Sequence, residues 1–561
     1  MRRFPAKELE ALQKRLETLR NRKSSAIPAP SARRLRRATV ILFLIFTVLY
    51  PVILGFNSLK YEGRFSPDSV YYIDAANNIL AGRGISNSMA PLKRAVERSE
   101  TLPRPMTMWG PLYPLLIAFS CRAGLPAPAG ALVVPVVFLG ILLLGSYLLM
   151  WRLFDDTVAL LGVAFLLHFS PSRLIATHAW SDAVGLAFEM LMFYAVARVY
   201  CAQGSRAGLC AVLAGLAAGM AYAARYALLP LFPMSVLLLL ERRRPTQTAK
   251  NLGFLTISFL VVAAPVAIRN FMVTGHLRGA PALHSSVVPF AEACTDLLHA
   301  VVETAAPESW PARWLYTALL AAVAVMCVVQ IRRRALFSEL RETVLAGKRY
   351  LLLLWPAGYL AFLLYCETRM PIDPIDARLM VPATLLLVLL FAAVLVRVVG
   401  AAPWLFTSVS LVLAILAAGN ELPTARAVMR TDLPPPHDFQ GKLVHSETLT
   451  WLSNNATDRD LIVAEDGQDL PLYVGPVDTL YFLSVWPPSS QISYTDFSNY
   501  LERYCRKYEH VYLVLRKDSQ RVAQAGSFLV ELAADPLNPK PGITLKADLK
   551  DGLVYEVDGV R

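Results

Sequence analysis

Two carboxylates and a set of arginines, all placed at the ends of apolar runs, carry the chemistry that this sequence offers. Asp68 follows the first apolar run, Asp182 opens another, and Arg225, Arg269 and Arg378 stand at the ends of three more. A carboxylate held at a membrane surface can take the proton of an attacking hydroxyl, and general-base help of this kind is worth about 10²–10⁴-fold. A guanidinium is permanently charged and meets a phosphate through parallel N–H bonds. A leaving phosphate is already a stable anion, so it calls for positive charge and not for a general acid.

Asp68 needs an element that holds it. Ser66-Pro67-Asp68 reads as a helix start, since Pro67 presets φ and a carboxylate in the first turn suits the helix dipole. Asp68, Tyr72, Ala76 and Ile79 fall at spacings of four, four and three, so one helical face carries them all. Gly82 and Gly84 then stop the helix.

The frame around these residues is a membrane. The chain is 55% hydrophobic and only 17% charged over 561 residues, a composition outside the range of soluble domains. Residues 1–39 hold twelve Lys/Arg against three Glu, a net +9 within a total of +13. Leu9, Leu12, Leu16 and Leu19 give that arm an amphipathic helical stripe. It reads as a cytoplasmic segment facing anionic lipid, and not as a nucleic-acid binder, because no aromatic residue but Phe4 interleaves with the charges. About eleven spans are expected, near 38–57, 131–151, 157–174, 183–200, 207–223, 226–240, 251–268, 315–331, 350–366, 379–397 and 403–420. The short, proline-rich piece 111–120 is read as re-entrant or interfacial. This count places the basic clusters Arg242–Arg244 and Arg332–Arg334 on the side of the N-terminal arm, which the positive-inside rule makes cytoplasmic. Glu189 lies inside a span, where a carboxylate is costly, and a structural pair with an arginine is expected for it. The seven cysteines show no C-x-x-C spacing and indicate neither a disulfide framework nor a zinc knuckle.

The domain reading is therefore a basic arm over 1–37, a transmembrane domain over 38–420 with a long first outer loop at 58–130, a linker over 421–439 marked by Pro434-Pro435-Pro436, and a soluble α/β domain over 440–561. In the last, 461–464, 479–483 and 510–515 read as buried strands, and 496–508 and 521–533 as helices.

The Asp68-Tyr72-Ala76-Ile79-Gly82-Gly84 pattern after a first span resembles the first extracytoplasmic loop of the GT-C glycosyltransferases, closest to the branch of protein O-mannosyltransferases and lipid A aminoarabinose transferases. Other segments resemble the family in order. Gly110-Pro111-Leu112-Tyr113-Pro114-Leu115 is similar to the P-P-L-Y-P-L segment that closes the loop, with Gly110 in place of the first proline. Ser181-Asp182 stands where the family has a carboxylate, and Arg225 where it has a basic turn. Pro265 to Gly275 resembles P-x-x-x-R-N-x-x-x-x-G, with Arg269 at the arginine. Arg378 holds the arginine of an R-Y-x-x-P segment whose tyrosine is here Leu379. Ser181-Asp182 is equally an ordinary helix cap, and Arg369 and Arg378 equally snorkelling anchors.

The resemblance implies a polytopic α-helical fold with a small extracytoplasmic α/β domain, and an integral inner-membrane enzyme with a cytoplasmic N-terminus. It implies a polyprenyl-phosphate-linked sugar donor and an acceptor hydroxyl on protein, lipid or glycan, with inversion at the anomeric centre. The expected roles are Asp68 as base and Asp182 as second carboxylate. Tyr72, His178, Arg225, Arg269 and Arg378 are the expected substrate contacts. No cofactor is indicated. A divalent metal stays open, since His276, His284, Glu292, Asp296, His299 and Glu303 crowd one loop without tight ligand spacing. The alternatives are a transporter or flippase of a lipid-linked or anionic substrate, with Glu189 central, and a non-catalytic relative.

Overall fold

The computed structural model describes residues 30–58, 65–91, 101–200, 204–240, 245–277, 288–305, 350–369, 375–399, 403–429, 446–464, 477–481, 506–517, 527–537 and 539–557, with a few single residues between. The basic arm up to residue 29, the span expected at 315–331 and most of the helix expected at 496–508 lie outside them.

Helices dominate. In chain order they are α1 (Pro30–Ser58), α2 (Pro67–Leu80), α3 (Leu112–Arg122), α4 (Ala127–Leu153), α5 (Asp156–His168), α6 (Ser170–Thr177), α7 (Asp182–Val199), α8 (Ser205–Ala224), α9 (Leu231–Leu239), α10 (Pro245–Thr274), α11 (Phe290–Ala305), α12 (Leu351–Arg369), α13 (Ala377–Val399) and α14 (Pro403–Met429). Among the described residues six helices are long and apolar enough to cross a membrane: α4, α8, α10, α12, most of α13 and the centre of α14. Counting the bent pair α5–α6 as one span makes seven. The span expected at 315–331 lies outside the described residues, and three of the other expected spans differ for physical reasons. The expected span 157–174 is broken by a 62° bend, because Pro171 has no N–H and its ring crowds the carbonyl one turn back. α7 spans the right length but carries Asp182, Glu189 and Arg198. The run 226–240 is a 3-10 turn followed by the nine residues of α9, and 111–120 forms the short helix α3.

Small residues bring α8 and α10 into backbone contact. A Cβ on Gly215 would lie 2.2 Å from the Leu255 carbonyl, and one on Gly219 would lie 3.1 Å from that of Phe259. Without lipid-excluding forces between helices, such close approach supplies the packing.

A six-stranded sheet follows in sequence, ordered β2-β5-β4-β6-β8-β7. Its strands are β4 (Leu461–Ala464), β5 (Asp478–Tyr481), β6 (Val511–Arg516), β7 (Ile543–Asp548), β8 (Gly552–Val557) and β2 (Met89–Pro91), with α15 (Glu447–Asn455) and α16 (Ser527–Ala534) alongside. β2, β5, β4 and β6 pair in parallel, and β8 pairs antiparallel with both β6 and β7. β4 and β6 are almost wholly buried apolar runs, as parallel strands covered on both faces tend to be, while β5 is buried throughout but brings Asp478 and Thr479 into the sheet. β2 belongs to the long loop that follows α1, so the sheet is not confined to residues 440–561. A separate ribbon of β1 (Ser86–Asn87) and β3 (Arg104–Pro105) closes that loop on itself.

Candidate functional site

α2 positions Asp68 by local means. Pro67 opens the helix, and the Ser66 N–H donates to Ser69 Oγ at 2.9 Å, so the first turn is capped. At the other end Gly82 and Gly84 take φ of 76° and 72°, left-handed values that side chains with a Cβ avoid. Val70, Ile73 and Ala76 are buried, which fixes the rotation of the helix. Asp68 is left partly open, its side chain 32% exposed.

Opposite it stands Arg378, in the first turn of α13. Its Nη1 donates to Asp68 Oδ2 at 3.1 Å. Its Nε and Nη2 donate to Asp182 Oδ2 at 3.0 and 2.9 Å. The guanidinium lies over the Trp180 ring, 4.1 Å from its centroid. Trp180 is held in turn by Nε1 donating to Ser66 Oγ at 2.8 Å. Arg225, just past the end of α8, pairs with the other oxygen of Asp182. Asp182 is thus buried, 3% exposed, between two guanidinium groups that are themselves largely covered. A carboxylate removed from water needs such compensation. Gly110 permits the close approach on this side, since a Cβ there would lie 2.2 Å from the Ala223 carbonyl.

Aromatic residues wall the cluster. Tyr72 shares a hydrogen bond of 3.0 Å with Ser181 Oγ and meets Tyr113 edge-on at 4.9 Å. Burial and the nearby Asp68 charge push the Tyr72 phenol well above its ordinary range, so it stays a neutral hydroxyl. Tyr71 stacks on Trp109 at 4.5 Å. His178 stacks on Trp180 at 4.4 Å and bonds through Nδ1 with the Leu174 carbonyl at 2.9 Å.

The structure therefore brings Asp68, Asp182, Arg225 and Arg378 into one cluster, with Tyr72 and His178 on its wall. Arg269 lies elsewhere. Its Nη1 donates to the Met106 carbonyl at 2.8 Å and its Nη2 to that of Ile85 at 2.6 Å. The fork that could read a phosphate instead holds the two limbs of the first loop together, because those carbonyls flank the β1–β3 ribbon. Glu189 also departs from its expected pairing. Among the described residues neither of its oxygens has a hydrogen-bond partner, and its polar neighbour is Trp355, not an arginine. Among the described residues no three His, Cys, Asp or Glu side chains gather as metal ligands.

A second carboxylate of α2, this one buried, has no counterpart among the residues expected from sequence. Asp74, on a different face of α2 and fully buried, accepts the Ser88 N–H at 2.7 Å, Asn87 Nδ2 at 3.2 Å and Asn78 Nδ2 at 3.4 Å. Burial pushes its carboxyl up to about 7, against the pull of the Ser88 and Asn87 hydrogen bonds. Asn78 is one helical turn on, but the partners from outside the helix lie 13 and 14 residues on, beyond any helical spacing, and no local signal marks them.

No protein-family model matches this sequence, and no curated protein matches it. Among solved structures, the crystal structure of ArnT from Cupriavidus metallidurans bound to undecaprenyl phosphate superposes with a TM-score of 0.59, at 11% identity, over 92% of this chain and 98% of that one. The Archaeoglobus fulgidus oligosaccharyltransferase in complex with zinc and sulfate gives 0.47 at 14% identity, over 92% of this chain and 72% of that one. At 11% identity what is shared is the fold: this chain is an α-helical membrane protein that shares the fold of the ArnT structure.

Proposed function

We propose that this protein is a membrane glycosyltransferase that moves a sugar from a polyprenyl-phosphate donor to an acceptor hydroxyl at the extracytoplasmic face. The observation that carries the reading is the sharing of Arg378 between Asp68 and Asp182. One guanidinium there links a half-open carboxylate to a buried one that already holds a second arginine. The cluster lies where the first outer loop meets the ends of three apolar helices, so an isoprenoid tail could remain in lipid while its sugar projects toward α2. The fold shared with an ArnT structure bound to undecaprenyl phosphate is consistent with this placement.

The division of labour follows from exposure and charge. Asp68 is the accessible carboxylate and takes the proton of the acceptor hydroxyl. The acceptor oxygen forms its bond to the anomeric carbon as the bond from that carbon to the phosphate oxygen breaks. The electron pair leaves with the polyprenyl phosphate. Direct displacement from the opposite face inverts the centre, as in inverting glycoside chemistry. Arg225 and Arg378 receive the leaving phosphate, and their N–H groups exchange a carboxylate partner for a chemically similar oxyanion. Asp182 keeps the two guanidiniums poised, and Trp180 fixes the plane of one of them. Tyr72 and His178 line the sugar side. The reading keeps the N-terminal arm cytoplasmic and the six-stranded sheet outside.

Purified protein in detergent, given a panel of polyprenyl-phosphate-linked sugars, should transfer one of them, and Asp68→Asn should lower turnover by about 10²–10⁴-fold while remaining folded. Failure of every donor, with binding of a lipid-linked sugar still demonstrable, would move the reading to a flippase or a non-catalytic relative, with Glu189 as the next residue to test.

A further inference from the structure

The sheet reaches the helix of the candidate base through borrowed main chain. β2, from the long loop that follows α1, pairs in parallel with β5, with Met89 opposite Thr479 and Ala90 opposite Leu480. The Thr479 N–H extends this pairing to the Ser88 carbonyl at 2.7 Å. The other main-chain group of Ser88, its N–H, goes to Asp74 of α2 at 2.7 Å. One residue therefore joins the sheet to the helix, and Asn87 doubles the link by donating both to Asp74 and to the Tyr71 carbonyl, the latter at 2.8 Å. Further ties run in parallel. The Tyr71 and Tyr481 hydroxyls share a hydrogen bond, Arg83 pairs with Asp478 at 3.7 Å, and Lys507 donates to the Leu102 carbonyl at 2.7 Å.

We propose that Asp74 is a positioning residue, which through Ser88 and Asn87 makes the six-stranded sheet part of the scaffold that aims Asp68. The role of Asp68 as base belongs to the proposed function, on which this inference rests. A short helix at a membrane surface has little core of its own, and α2 is gripped on two different faces by different parts of the chain. Arg378 holds the Asp68 face through an ion pair that a phosphate can displace. Asp74 holds the other face through groups that no substrate reaches.

The link is also sensitive to pH. The titratable and charged groups that bear on Asp74 are Arg83, which lowers its carboxyl, and Asp478, which raises it; burial outweighs both, and the result is about 7. Asp478 is itself raised by burial and bonded by the Tyr508 hydroxyl at 2.6 Å. A buried carboxyl above its solvent value of 3.8 favours the docked state when protonated. Docking is then strongest in acid. Opening of α2 from the strand rises by about tenfold per pH unit as pH climbs toward 7, and levels off above it.

Hydrogen–deuterium exchange of the α2 amides in the full-length protein tests this, corrected for intrinsic exchange at each pH. Wild type should show exchange rising between pH 5 and 7 and then flattening. Asp74→Ala should exchange about tenfold faster at pH 6, and Asn87→Ala, a milder cut of the same link, should follow in direction. Asp74→Asn keeps an acceptor oxygen without ionising, so it should retain protection and lose the pH dependence. In transfer assays with the productive donor, Asp74→Ala should lower kcat by about tenfold with donor KM within about twofold, and Asp74→Asn should restore it. Unchanged exchange in both alanine variants would overturn the link, and faster exchange with unchanged kcat would overturn its role in aiming Asp68. If wild type transfers no sugar, the proposed function fails and with it the aiming of a base, while the exchange data still decide whether the sheet holds α2.

Discussion

At its start α2 offers Asp68 to a guanidinium that Asp182 shares; six residues later Asp74 meets only neutral donors. The first arrangement is half-open and built from full charges. The second is closed and built from a main-chain N–H and side-chain amides. Charged partners of a carboxylate are also the natural partners of a phosphate, so the first network can trade one anion for another without leaving a cation bare. Amide donors at fixed distances offer no such exchange. The comparison separates a place suited to chemistry from a place suited to grip, on one helix of 14 residues.

The largest expected effect tests the charged network as structure. Asp182→Ala would leave Arg225 and Arg378 together in a largely covered site without their common anion. Breaking a buried pair by removing one partner costs about 3–5 kcal/mol. Removing Asp74 strips acceptors from neutral donors, at about 1–3 kcal/mol. Denaturant unfolding in a fixed detergent should rank Asp182→Ala above Asp74→Ala. The opposite order would mean that the guanidiniums are hydrated and that the cluster is open to solvent.

A middle-sized effect tests the same network as chemistry. Arg225→Ala leaves Asp182 with Arg378, so the fold should survive, and the apparent KM for the lipid donor should rise by about tenfold, as expected for losing one charge-assisted contact of about 1.5–3 kcal/mol. Asp74→Asn should leave donor KM unchanged. Unchanged donor kinetics in Arg225→Ala would take it out of the phosphate role and leave Arg378 as the remaining candidate.

How much of this was legible in sequence depended on the range of the interaction. α2 is set by neighbours in the chain, Ser66-Pro67 at one end and Gly82 and Gly84 at the other, and the structure forms it over Pro67–Leu80. β4 forms at Leu461–Ala464, where a run of four buried apolar residues leaves little else to form. Asp68, Asp182, Arg225 and Arg378 could be placed at span ends, since hydropathy marks where spans stop. Which arginine would find which acid could not be read, because Arg378 reaches Asp182 across 196 residues. Arg269 shows the cost: its type and place fit a phosphate, yet two carbonyls of the first loop engage it. β2 was invisible for the same reason, as three residues become a strand only when β5, nearly 400 residues on, supplies the ladder. The break at Pro171 was in plain sight, but a window of hydropathy averages over it.

The smallest expected effect sharpens the grip side of the comparison. Tyr71 and Tyr481 meet through their hydroxyls, while the Tyr71 ring stacks on Trp109 and packs with Val70 and Met89. Tyr71→Phe removes the hydroxyl and keeps the stack. One neutral hydrogen bond is worth about 0.5–1.5 kcal/mol net, so unfolding should shift by that amount and α2 exchange should rise only a few-fold. Tyr481→Phe should match it, and the double variant should cost no more than either alone, since both remove the same bond. Additive costs would mean that each hydroxyl has a partner of its own. The tie between α2 and β5 would then rest on Ser88, Asn87 and Asp74 without the tyrosines.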